Sequence, residues 1–504
     1  MRRDPYAQGL ALSAANRHAE AIECFEEALD ERPGDIRVLF ALGNTAATLG
    51  LAKPAESFFR QVLTQEPQRL EALVNLANLL RAGGQFAAAE ALLLPACAHN
   101  PGAPELWLAL GSVYRETGDN ARAAAFYREA LALKPDYPQA IGNLADVLAD
   151  EGQIDEALAL HDRALVLDPA NAQAALNRAI LHLLTGNLRE GWRDYDARLK
   201  IAGKAPQSDT RLARWTGDSL QGRRLLVRTE QGVGDQIMFA SLIPELTRRA
   251  GREGGSIILE CEKRLVPLFS RSFPSAIVRA SQIETRGGIV TAHYDWLKEE
   301  GGVDVAIEMG SLPALMRTDI AQFPAPHHYL AGDAAEMQFW REELPSAGRR
   351  PRIGVCWRSG KTGGGRTAQY APLIAWADFL RHVPGTLICT QYDAGAEEIF
   401  ELEKLSGRKI YVPRGIDQKN ELDRTCSMFA TLDAVVSAPT AVSWLAPAAG
   451  VPTAKILYDT SWTSFAQDHE PFAPACRLMM PTRRGDWADA FAKARIWIET
   501  ETRR

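Results

Sequence analysis

Apolar residues recur at helical spacing through the first two hundred residues of this 504-residue chain. Stretches such as ALVNLANLL and AAAEALLLPA come in pairs that a glycine-containing turn separates. Two ladders mark these pairs every 34 residues, namely Pro33, Pro67, Pro101, Pro135 and Pro169, and Ala21, Ala55, Ala89, Ala123 and Ala157. Each unit is therefore predicted to be a helical hairpin, in which the alanine allows two helices to approach closely and the proline ends the second helix.

One unit combines a set of large and small residues at fixed offsets: Trp107, Leu110, Gly111, Tyr114, Ala123 and Pro135. In this order they resemble the tetratricopeptide repeat consensus. About five repeats cover residues 4–171, and residues 172–200 form a sixth, divergent repeat that closes the stack. We expect residues 1–203 to form an α-solenoid whose concave groove binds a partner protein.

Asn75, Asn143 and Asn177 occupy the same position on the first helix of their repeats. A side-chain amide donates and accepts hydrogen bonds together, so it suits a peptide bond of any sequence. In the repeat-bearing protein glycosyltransferases that this region resembles, such asparagines hold the backbone of an extended acceptor. The alternative is that they tie neighbouring hairpins together.

Beyond residue 200 the pattern changes to short apolar runs: RLLVR, SIILE, SAIVRA, VDVAIEM, RIGVCW, GTLICTQ, KIYVP, LDAVVSA and PTAKILY. They alternate with helical segments, which predicts parallel sheets covered on both faces. So many strands fit two doubly wound, Rossmann-like halves better than one. We place the halves at residues 204–350 and 351–504 and expect the active site in the cleft between them.

Composition narrows the partners. A net charge of -6 and a pI near 5.9 favour neither nucleic acid nor an anionic membrane as the main partner. The N-terminal residues lack the continuous apolar segment of a signal peptide, and no apolar stretch is long enough to span a bilayer. The seven cysteines are scattered and odd in number, which is typical of reduced thiols. We therefore expect a cytoplasmic protein.

The stretch LLVRTEQGVGDQIMFAS, residues 225–241, runs from a strand through a turn into a helix. Gly232 and Gly234 allow the backbone to turn sharply and to approach a ligand closely. Because no third glycine follows at the dinucleotide spacing, a nicotinamide or flavin site is not expected.

This strand, turn and helix resemble the opening of the GT-B glycosyltransferases of the lipopolysaccharide heptosyltransferase group, above all those fused to tetratricopeptide repeats. EMGSLPALMRT, RIGVCWRSGKTGGGRT and LDAVVSAPTAVSWLAPAAGVPT extend the resemblance over nearly all of residues 210–495. It implies that Asp235 lies near the acceptor, where a carboxylate can take the proton of an attacking hydroxyl. The alternative is that Asp235 is a helix N-cap. Glu230 is the nearby carboxylate that could substitute for it.

The last of these stretches departs from the group, which has aspartate before the threonine and histidine four residues after it. Here those positions are Pro439, Thr440 and Trp444, so recognition of heptose is in doubt. Thr440 and Ser443 open a helix after a strand, where hydroxyls and free amides can bind a donor phosphate. Trp444 is either a stacking surface for the donor or a core residue.

Arg358, Lys361 and Arg366 follow the first strand of the second half on a glycine-rich loop. Their positive charges predict a phosphate anchor, against the alternative of a solvated surface loop. No metal is expected, because the sequence Asp194-Tyr-Asp196 lies among the repeats and not after a strand.

We weigh two classes of function: a glycosyltransferase whose repeats capture a protein, and a repeat scaffold whose transferase domain is inactive. A lipopolysaccharide transferase would not need a peptide-binding superhelix. The arrangement resembles bacterial flagellin glycosyltransferases, which implies serine or threonine acceptors and a nonulosonic acid donor activated by CMP. The resemblance also implies an inverting, metal-independent enzyme that needs a nucleotide sugar but no cofactor.

Overall fold

A computed structural model describes residues 4–201, 206–208, 212–286, 289–298, 300–324, 328–345, 351–360 and 369–502. The chain divides into two compact units, Met1–Arg178 and Ala179–Arg504. None of the helices in the described part combines the length and apolarity that a membrane crossing requires.

The first unit consists of stacked helical hairpins, so the predicted α-solenoid is confirmed. Its helices are Pro5–Ala14 (α1), His18–Glu31 (α2), Ile36–Thr48 (α3), Ala52–Gln65 (α4), Leu70–Ala82 (α5), Phe86–His99 (α6), Pro104–Glu116 (α7), Asn120–Leu133 (α8), Pro138–Asp150 (α9) and Ile154–Leu167 (α10). A further helix, Ala172–Leu184 (α11), crosses the division between the units.

The two ladders have the predicted roles. The alanines of the second helices, from Ala21 to Ala157, are fully buried where helices meet. A glycine with φ between 71° and 81° forms the turn inside the second to sixth hairpins, a backbone conformation that glycine adopts without strain: Gly50, Gly84, Gly118, Gly152 and Gly186. Asn16, with φ 59°, stands at this position in the first hairpin. The 34-residue period therefore repeats the turn as well as the contact between helices.

The second unit is a mixed α/β structure with two fully parallel sheets and a small third sheet. Its strands are Gln207–Ser208 (β1), Ala213–Arg214 (β2), Arg224–Arg228 (β3), Ser256–Cys261 (β4), Ala276–Ala280 (β5), Ile283–Arg286 (β6), Ile289–Ala292 (β7), Val305–Glu308 (β8), Arg352–Cys356 (β9), Thr386–Cys389 (β10), Ile410–Tyr411 (β11), Ala434–Ser437 (β12), Thr453–Ile456 (β13) and Cys476–Met479 (β14). All nine predicted strands are among them.

The strand order explains where ligands can bind. The five-stranded sheet has the order β2-β8-β3-β4-β5, and the six-stranded sheet has the order β11-β10-β9-β12-β13-β14. In each sheet the first long strand, β3 or β9, lies in the interior, with later strands on both sides. Such a reversal of strand order opens a crevice at the carboxyl ends of the strands.

The helices of this unit include those that connect successive parallel strands, together with one helix before the first strand and one after the last. They are Leu188–Tyr195 (α12), Val233–Ala240 (α13), Ile243–Arg252 (α14), Val266–Ser272 (α15), Pro313–Met316 (α16), Ala334–Glu343 (α17), Leu373–His382 (α18), Ala396–Ser406 (α19), Leu422–Phe429 (α20), Val442–Ala448 (α21) and Trp487–Glu501 (α22).

The second helix of the sixth hairpin, α12, packs within the α/β unit. Trp192 is 2% exposed and lies edge-on against Trp462, Phe465 and Phe472. Its indole Nε1 donates a hydrogen bond to the carbonyl of Arg317 at 2.9 Å. Sequence periodicity places the end of the repeats at residue 203, whereas packing begins the second compact unit at Ala179.

Candidate functional site

A cleft of about 490 Å³ opens in the α/β unit between the two parallel sheets. One wall is the turn after β3 together with the end of β4, represented by Gln231 and Glu262. The other wall follows β9, β10 and β11 and includes α20 and the start of α21. The cleft therefore lies where the strand order of both sheets reverses.

Gly232 and Gly234 both line this cleft. Gly232 is the N-cap residue of α13, with extended backbone, so Asp235 is the third residue of the helix and not its N-cap. The Asp235 carboxylate points back toward the start of the helix. A side-chain Cβ placed on Gly232 would lie 3.5 Å from Asp235 Oδ2. The proposed N-cap role is thus wrong in its position, although the carboxylate does lie over the first turn.

Burial raises the pKa of the Asp235 carboxyl, and the nearby charge of Glu230 raises it further. Asp235 itself is not among the residues that line the cleft, but Gly234 and Gln236 on either side of it are. A carboxyl with a raised pKa beside a cleft has the properties of a general base.

Glu230, the alternative carboxylate, has a structural partner. Its Oε1 accepts hydrogen bonds from Arg198 Nη2 at 2.8 Å and from Arg198 Nε at 3.1 Å, and both side chains are buried. Arg198 also pairs with Asp196 at 2.9 Å. Since Asp196 is held by arginines, the sequence Asp194-Tyr-Asp196 serves packing of the sixth hairpin.

Two glutamines that sequence reasoning missed shape the first wall. Gln236 Nε2 donates to the carbonyl of Gln231 at 2.8 Å, and Gln236 Oε1 accepts from the amide of Glu262 at 2.8 Å. These bonds join the ends of β3 and β4, so they fix the turn that contains both glycines.

Arg358 directly precedes Ser359 and Gly360, which line the second wall, but it is not itself a lining residue, and its charge is already compensated. Its guanidinium contacts both carboxylate oxygens of Glu398 at 2.7 Å and those of Asp393 at 3.1 Å. The Glu398 carboxylate accordingly raises the pKa of Arg358. Phosphate binding by Arg358 stays a prediction, and it would require the guanidinium to exchange partners. Lys361 and Arg366 lie outside the described residues.

The helix start at Thr440 is closed by its own hydrogen bonds. Thr440 Oγ1 accepts from the amide of Val442 at 3.2 Å, and Ser443 Oγ donates to the carbonyl of Thr440 at 2.8 Å. Ser443 is fully buried, and α21 has only seven residues. The Ser443 hydroxyl is therefore engaged within the fold, whereas the Thr440 hydroxyl accepts the Val442 amide and can still donate its own proton.

Trp444 is 9% exposed and forms part of the core between the sheets. Lys455 Nζ lies 3.9 Å from the centre of its ring and forms a 2.6 Å ion pair with Glu470. Both charged side chains are nearly completely buried. This buried cation next to Trp444 also interacts with Asp235 and opposes the rise of its pKa.

Residues that the sequence did not single out supply the polar, charged and apolar groups of the cleft. Thr390 Oγ1 and Gln418 Oε1 are buried atoms without a hydrogen-bond partner, and both residues line the cleft. Lys419 and Arg264 supply positive charge, while Leu422 and Phe429 are apolar. An apolar cleft with a few convergent polar groups is typical of a small-molecule site.

A signal for these residues exists in the sequence. Thr390 comes directly after β10, and Gln418 and Lys419 lie in the loop after β11. The carboxyl ends of parallel strands meet at one edge, so polar residues just after predicted strands were the ones to examine. Within the described residues, no group of three His, Cys, Asp or Glu side chains is placed to hold a metal ion.

The repeat unit has its own groove, of about 470 Å³. Asn143 and Asn177 line it, whereas Asn75 lies outside the lining. Asn75 Nδ2 donates to Asn44 Oδ1 of the preceding hairpin at 2.7 Å, and Asn177 Nδ2 donates to Asp146 at 2.9 Å. These two asparagines therefore tie neighbouring hairpins together.

Asn143 differs from the other two. No side-chain hydrogen bond to it is found among the described residues of the repeat unit, and the adjacent Gly142 leaves open space beside it. Its amide is thus available to a peptide bond. His161 lines the same groove and is 1% exposed, and its Nδ1 has no hydrogen-bond partner among the described residues. Burial lowers the pKa of its imidazole.

Comparison with known proteins identifies the repeats. Residues 6–69, 74–138 and 143–207 match the tetratricopeptide repeat family, and residues 114–165 match a second model of the same repeat. The repeat match thus includes the sixth hairpin, although α12 packs within the α/β unit.

The chain is also 32% identical over 312 residues to Protein FlbA of Caulobacter vibrioides. The match covers 62% of this chain and 52% of FlbA, so it spans about half the length of that relative. Among solved structures, a thermophilic TPR protein of Thermus thermophilus is 30% identical over 36% of this chain and 97% of its own, with a TM-score of 0.32. PilW, a type IV pilus biogenesis factor, is 21% identical over 39% of this chain and 90% of its own, with a TM-score of 0.36.

Proposed function

We propose that this chain is a GT-B glycosyltransferase that transfers a sugar from a nucleotide-activated donor to a hydroxyl group of a protein. The cleft between the two parallel sheets carries this proposal, because the turn that holds Asp235 forms part of one wall, and polar, cationic and apolar side chains, among them Thr390, Lys419 and Phe429, form the other. A repeat array that binds proteins accounts for the rest of the chain. The transferase resemblance of residues 210–495 supplies the reaction class.

The chemistry divides between the walls. Asp235 takes the proton of the acceptor hydroxyl as its oxygen bonds to the anomeric carbon. The bond from that carbon to the donor phosphate breaks, and the departing nucleotide keeps the electron pair. Lys419 is the cleft-lining cation that stabilises this negative charge, since Arg264 is paired with Glu262 at 2.9 Å. Thr390 and Gln418 hydrogen-bond the donor through their unpartnered oxygens.

The acceptor is proposed to be a serine or threonine of a protein such as flagellin, held by the repeat groove. Asn143 is the proposed contact to the acceptor backbone, since Asn75 and Asn177 are engaged within the fold. The proposed donor, a CMP-activated nonulosonic acid, rests on the flagellin glycosyltransferase resemblance alone.

A repeat scaffold without catalysis is the second candidate. It is favoured by the neutralised Arg358 and by the buried Ser443 hydroxyl, which bonds to the Thr440 carbonyl, because both of these expected donor contacts are engaged within the fold. Binding of a nucleotide separates the two candidates at once, because a scaffold has no need of an intact donor cleft.

The decisive experiment compares Asp235→Asn with wild type in turnover of an activated sugar. We expect turnover to fall about 10²- to 10⁴-fold, the usual contribution of a positioned base. The melting temperature should stay near that of wild type, because asparagine keeps the size of the side chain. In wild type, activity should rise with pH as the carboxyl ionises, and this rise should vanish in the variant.

Asp333→Asn is the matched control. Asp333 is the N-cap of α17, where its carboxylate accepts hydrogen bonds from the amides of Ala335 and Glu336 at 3.0 Å. We expect a small stability change and unchanged turnover. If Asp235→Asn behaves in the same way, Asp235 acts only on its helix. Glu230→Gln is unsuitable as a control because it disturbs the buried pair with Arg198.

A further inference from the structure

A second, smaller cavity of about 180 Å³ lies at the carboxyl edge of the five-stranded sheet. Arg228 at the end of β3 and Glu308 at the end of β8 line it, together with Thr229, Glu230 and Tyr294. We call it the polar cavity. Glu230 lines the polar cavity and the next residue, Gln231, lines the cleft, so the turn after β3 separates the two spaces.

Some polar atoms at this cavity have no hydrogen-bond partner among the residues that the structure describes. Arg228 Nε and Thr229 Oγ1 are both buried and have no hydrogen bond within the described residues. Thr229 as a whole is 5% exposed. Behind them, Glu260 Oε1 is also unpartnered, while its Oε2 accepts from the Thr229 amide at 3.0 Å. Buried polar atoms without partners are rare in folded proteins and mark places where a ligand can supply the missing bond.

The charges around the cavity are already paired. Arg228 Nη2 lies 2.5 Å from Glu308 Oε1, and Arg198 Nη2 lies 2.8 Å from Glu230 Oε1. Arg214 adds a second contact to Glu308 at 3.1 Å. Burial raises the pKa of Glu260 to about 7, so this carboxyl is partly neutral. A charged guest would therefore bring an unpaired charge, whereas a neutral guest would not.

We propose that the polar cavity binds a neutral polyhydroxyl group the size of one sugar ring. A hydroxyl both donates and accepts, so the guest can donate to the carboxylates of Glu230 and Glu308 and accept from Arg228 Nε. Thr229 Oγ1 can do either. The volume equals about six water molecules at roughly 30 Å³ each, which is too small for a nucleotide.

This inference goes beyond the proposed function, which assigns the nucleotide to the cleft. The guest could be a free sugar or the sugar of a larger donor or glycan, since the recognised chemistry is the same. A nonulosonic acid would place its carboxylate beside Glu230 and Glu308, so we expect this cavity to exclude it.

The test uses the full chain and saturation-transfer NMR with glucose, galactose and mannose as probes. N-acetylneuraminate serves as the acidic sugar, and CMP and UDP probe the cleft separately. We expect saturation of at least one neutral hexose and of none of the acidic sugar. Comparing a hexose with its UDP-linked form then shows whether the guest enters alone or as part of a donor.

Thr229→Val is the informative variant because the hydroxyl it removes has no partner in the fold. The melting temperature should stay the same or rise, while hexose affinity should fall about tenfold, the loss of one hydrogen bond. Thr390→Val removes a buried, unpartnered hydroxyl from the cleft instead and is the matched control. It should weaken nucleotide binding and leave hexose binding unchanged.

Absence of hexose binding to wild type, or equal hexose affinity in wild type and Thr229→Val, overturns the inference. If Thr229→Val does not fold, Arg228→Lys takes its place, since it keeps the charge opposite Glu308 but removes Nε; the same tenfold loss is expected. Nucleotide binding without hexose binding would end this inference and leave the proposed function standing. Hexose binding without nucleotide binding would do the reverse.

Discussion

The two compact units hold their polar residues together in different ways. In the repeat unit, Asn75 bonds to Asn44 and Asn177 to Asp146, and each pair is 31 residues apart in the chain. In the α/β unit, Arg228 meets Glu308 across 80 residues. Sequence periodicity reports contacts of the first kind directly, whereas contacts of the second kind depend on which strands become neighbours.

The largest expected effect on stability comes from removing the sixth hairpin, whose second helix packs within the α/β unit. A chain of residues 204–504 lacks Trp192, Tyr195 and Arg198, which pack in the core of the α/β unit. Loss of a buried tryptophan costs about 3–5 kcal/mol, and an unpaired buried carboxylate at Glu230 costs about as much again. We expect this fragment to fail to fold cooperatively in denaturant titrations followed by circular dichroism.

A chain of residues 172–504 retains α11 and α12 and is the control. We expect a single cooperative unfolding transition for it. Equal behaviour of the two fragments would mean that the sixth hairpin belongs to the repeats in stability as well as in sequence.

The next effect tests whether buried charges stabilise the α/β unit. Lys455→Met leaves Glu470 fully buried without its partner, although Thr463 Oγ1 still donates to it at 3.0 Å. Removing one member of a buried ion pair costs about 3–5 kcal/mol. The double variant Lys455→Met, Glu470→Met should recover much of this loss. Additive losses in chemical unfolding would show that the pair does not act as a unit.

Buried Glu260 predicts that the stability of the α/β unit declines as pH rises, whereas buried His161 of the repeat unit, whose pKa burial lowers, predicts a loss of stability as pH falls. Burial raises the pKa of Glu260 from 4.5 to about 7, so its contribution to stability is complete below pH 4.5 and is lost as pH rises through 7. The shift corresponds to roughly 3 kcal/mol. Glu260→Gln should remove this part of the decline between pH 4.5 and 7, measured by urea unfolding. Glu397→Gln, at an exposed carboxylate, should keep the wild-type slope.

The smallest effect separates two asparagines of the repeat unit. Asn177→Ala should lower the free energy of unfolding by about 1 kcal/mol, because it removes the hydrogen bond to Asp146. Asn143→Ala should leave stability unchanged but weaken binding of the acceptor protein in calorimetry. If both variants change stability alone, the groove does not use Asn143 for its partner.

Much of the fold follows from the sequence. The 34-residue ladders predict the hairpins because each repeat contacts only its neighbours. Nine short apolar runs predict nine strands, because the signal for a strand lies within the run itself. The strand Cys476–Met479 was missed, since its four residues include no β-branched side chain and its position depends on pairing with Thr453–Ile456.

The candidate site was predictable in place but only partly in residues. Gly232 and Gly234 line the cleft as expected, because a strand followed by a glycine turn fixes the local path of the chain. Arg358 could not be judged from sequence, since Asp393 and Glu398 reach it only after strand Thr386–Cys389 pairs beside it. Likewise, the contact of Trp444 with Lys455 could not be read from the sequence, since the helix of Trp444 and the strand Thr453–Ile456 meet only in the fold.

The packing of the sixth hairpin also determines which hairpins can be replaced by hairpins of another repeat protein. A turn residue with positive φ recurs every 34 residues, Asn16 in the first hairpin and a glycine in each of the next four, so the first five hairpins are interchangeable units that can be added, removed or replaced to present a different surface. The sixth is not interchangeable, because Trp192 in its second helix and Arg198 just after that helix pack in the core of this α/β unit. A chimera that carries a foreign array should therefore be joined at residues 168–171, between Ile154–Leu167 and Ala172–Leu184, and should keep every native residue that follows.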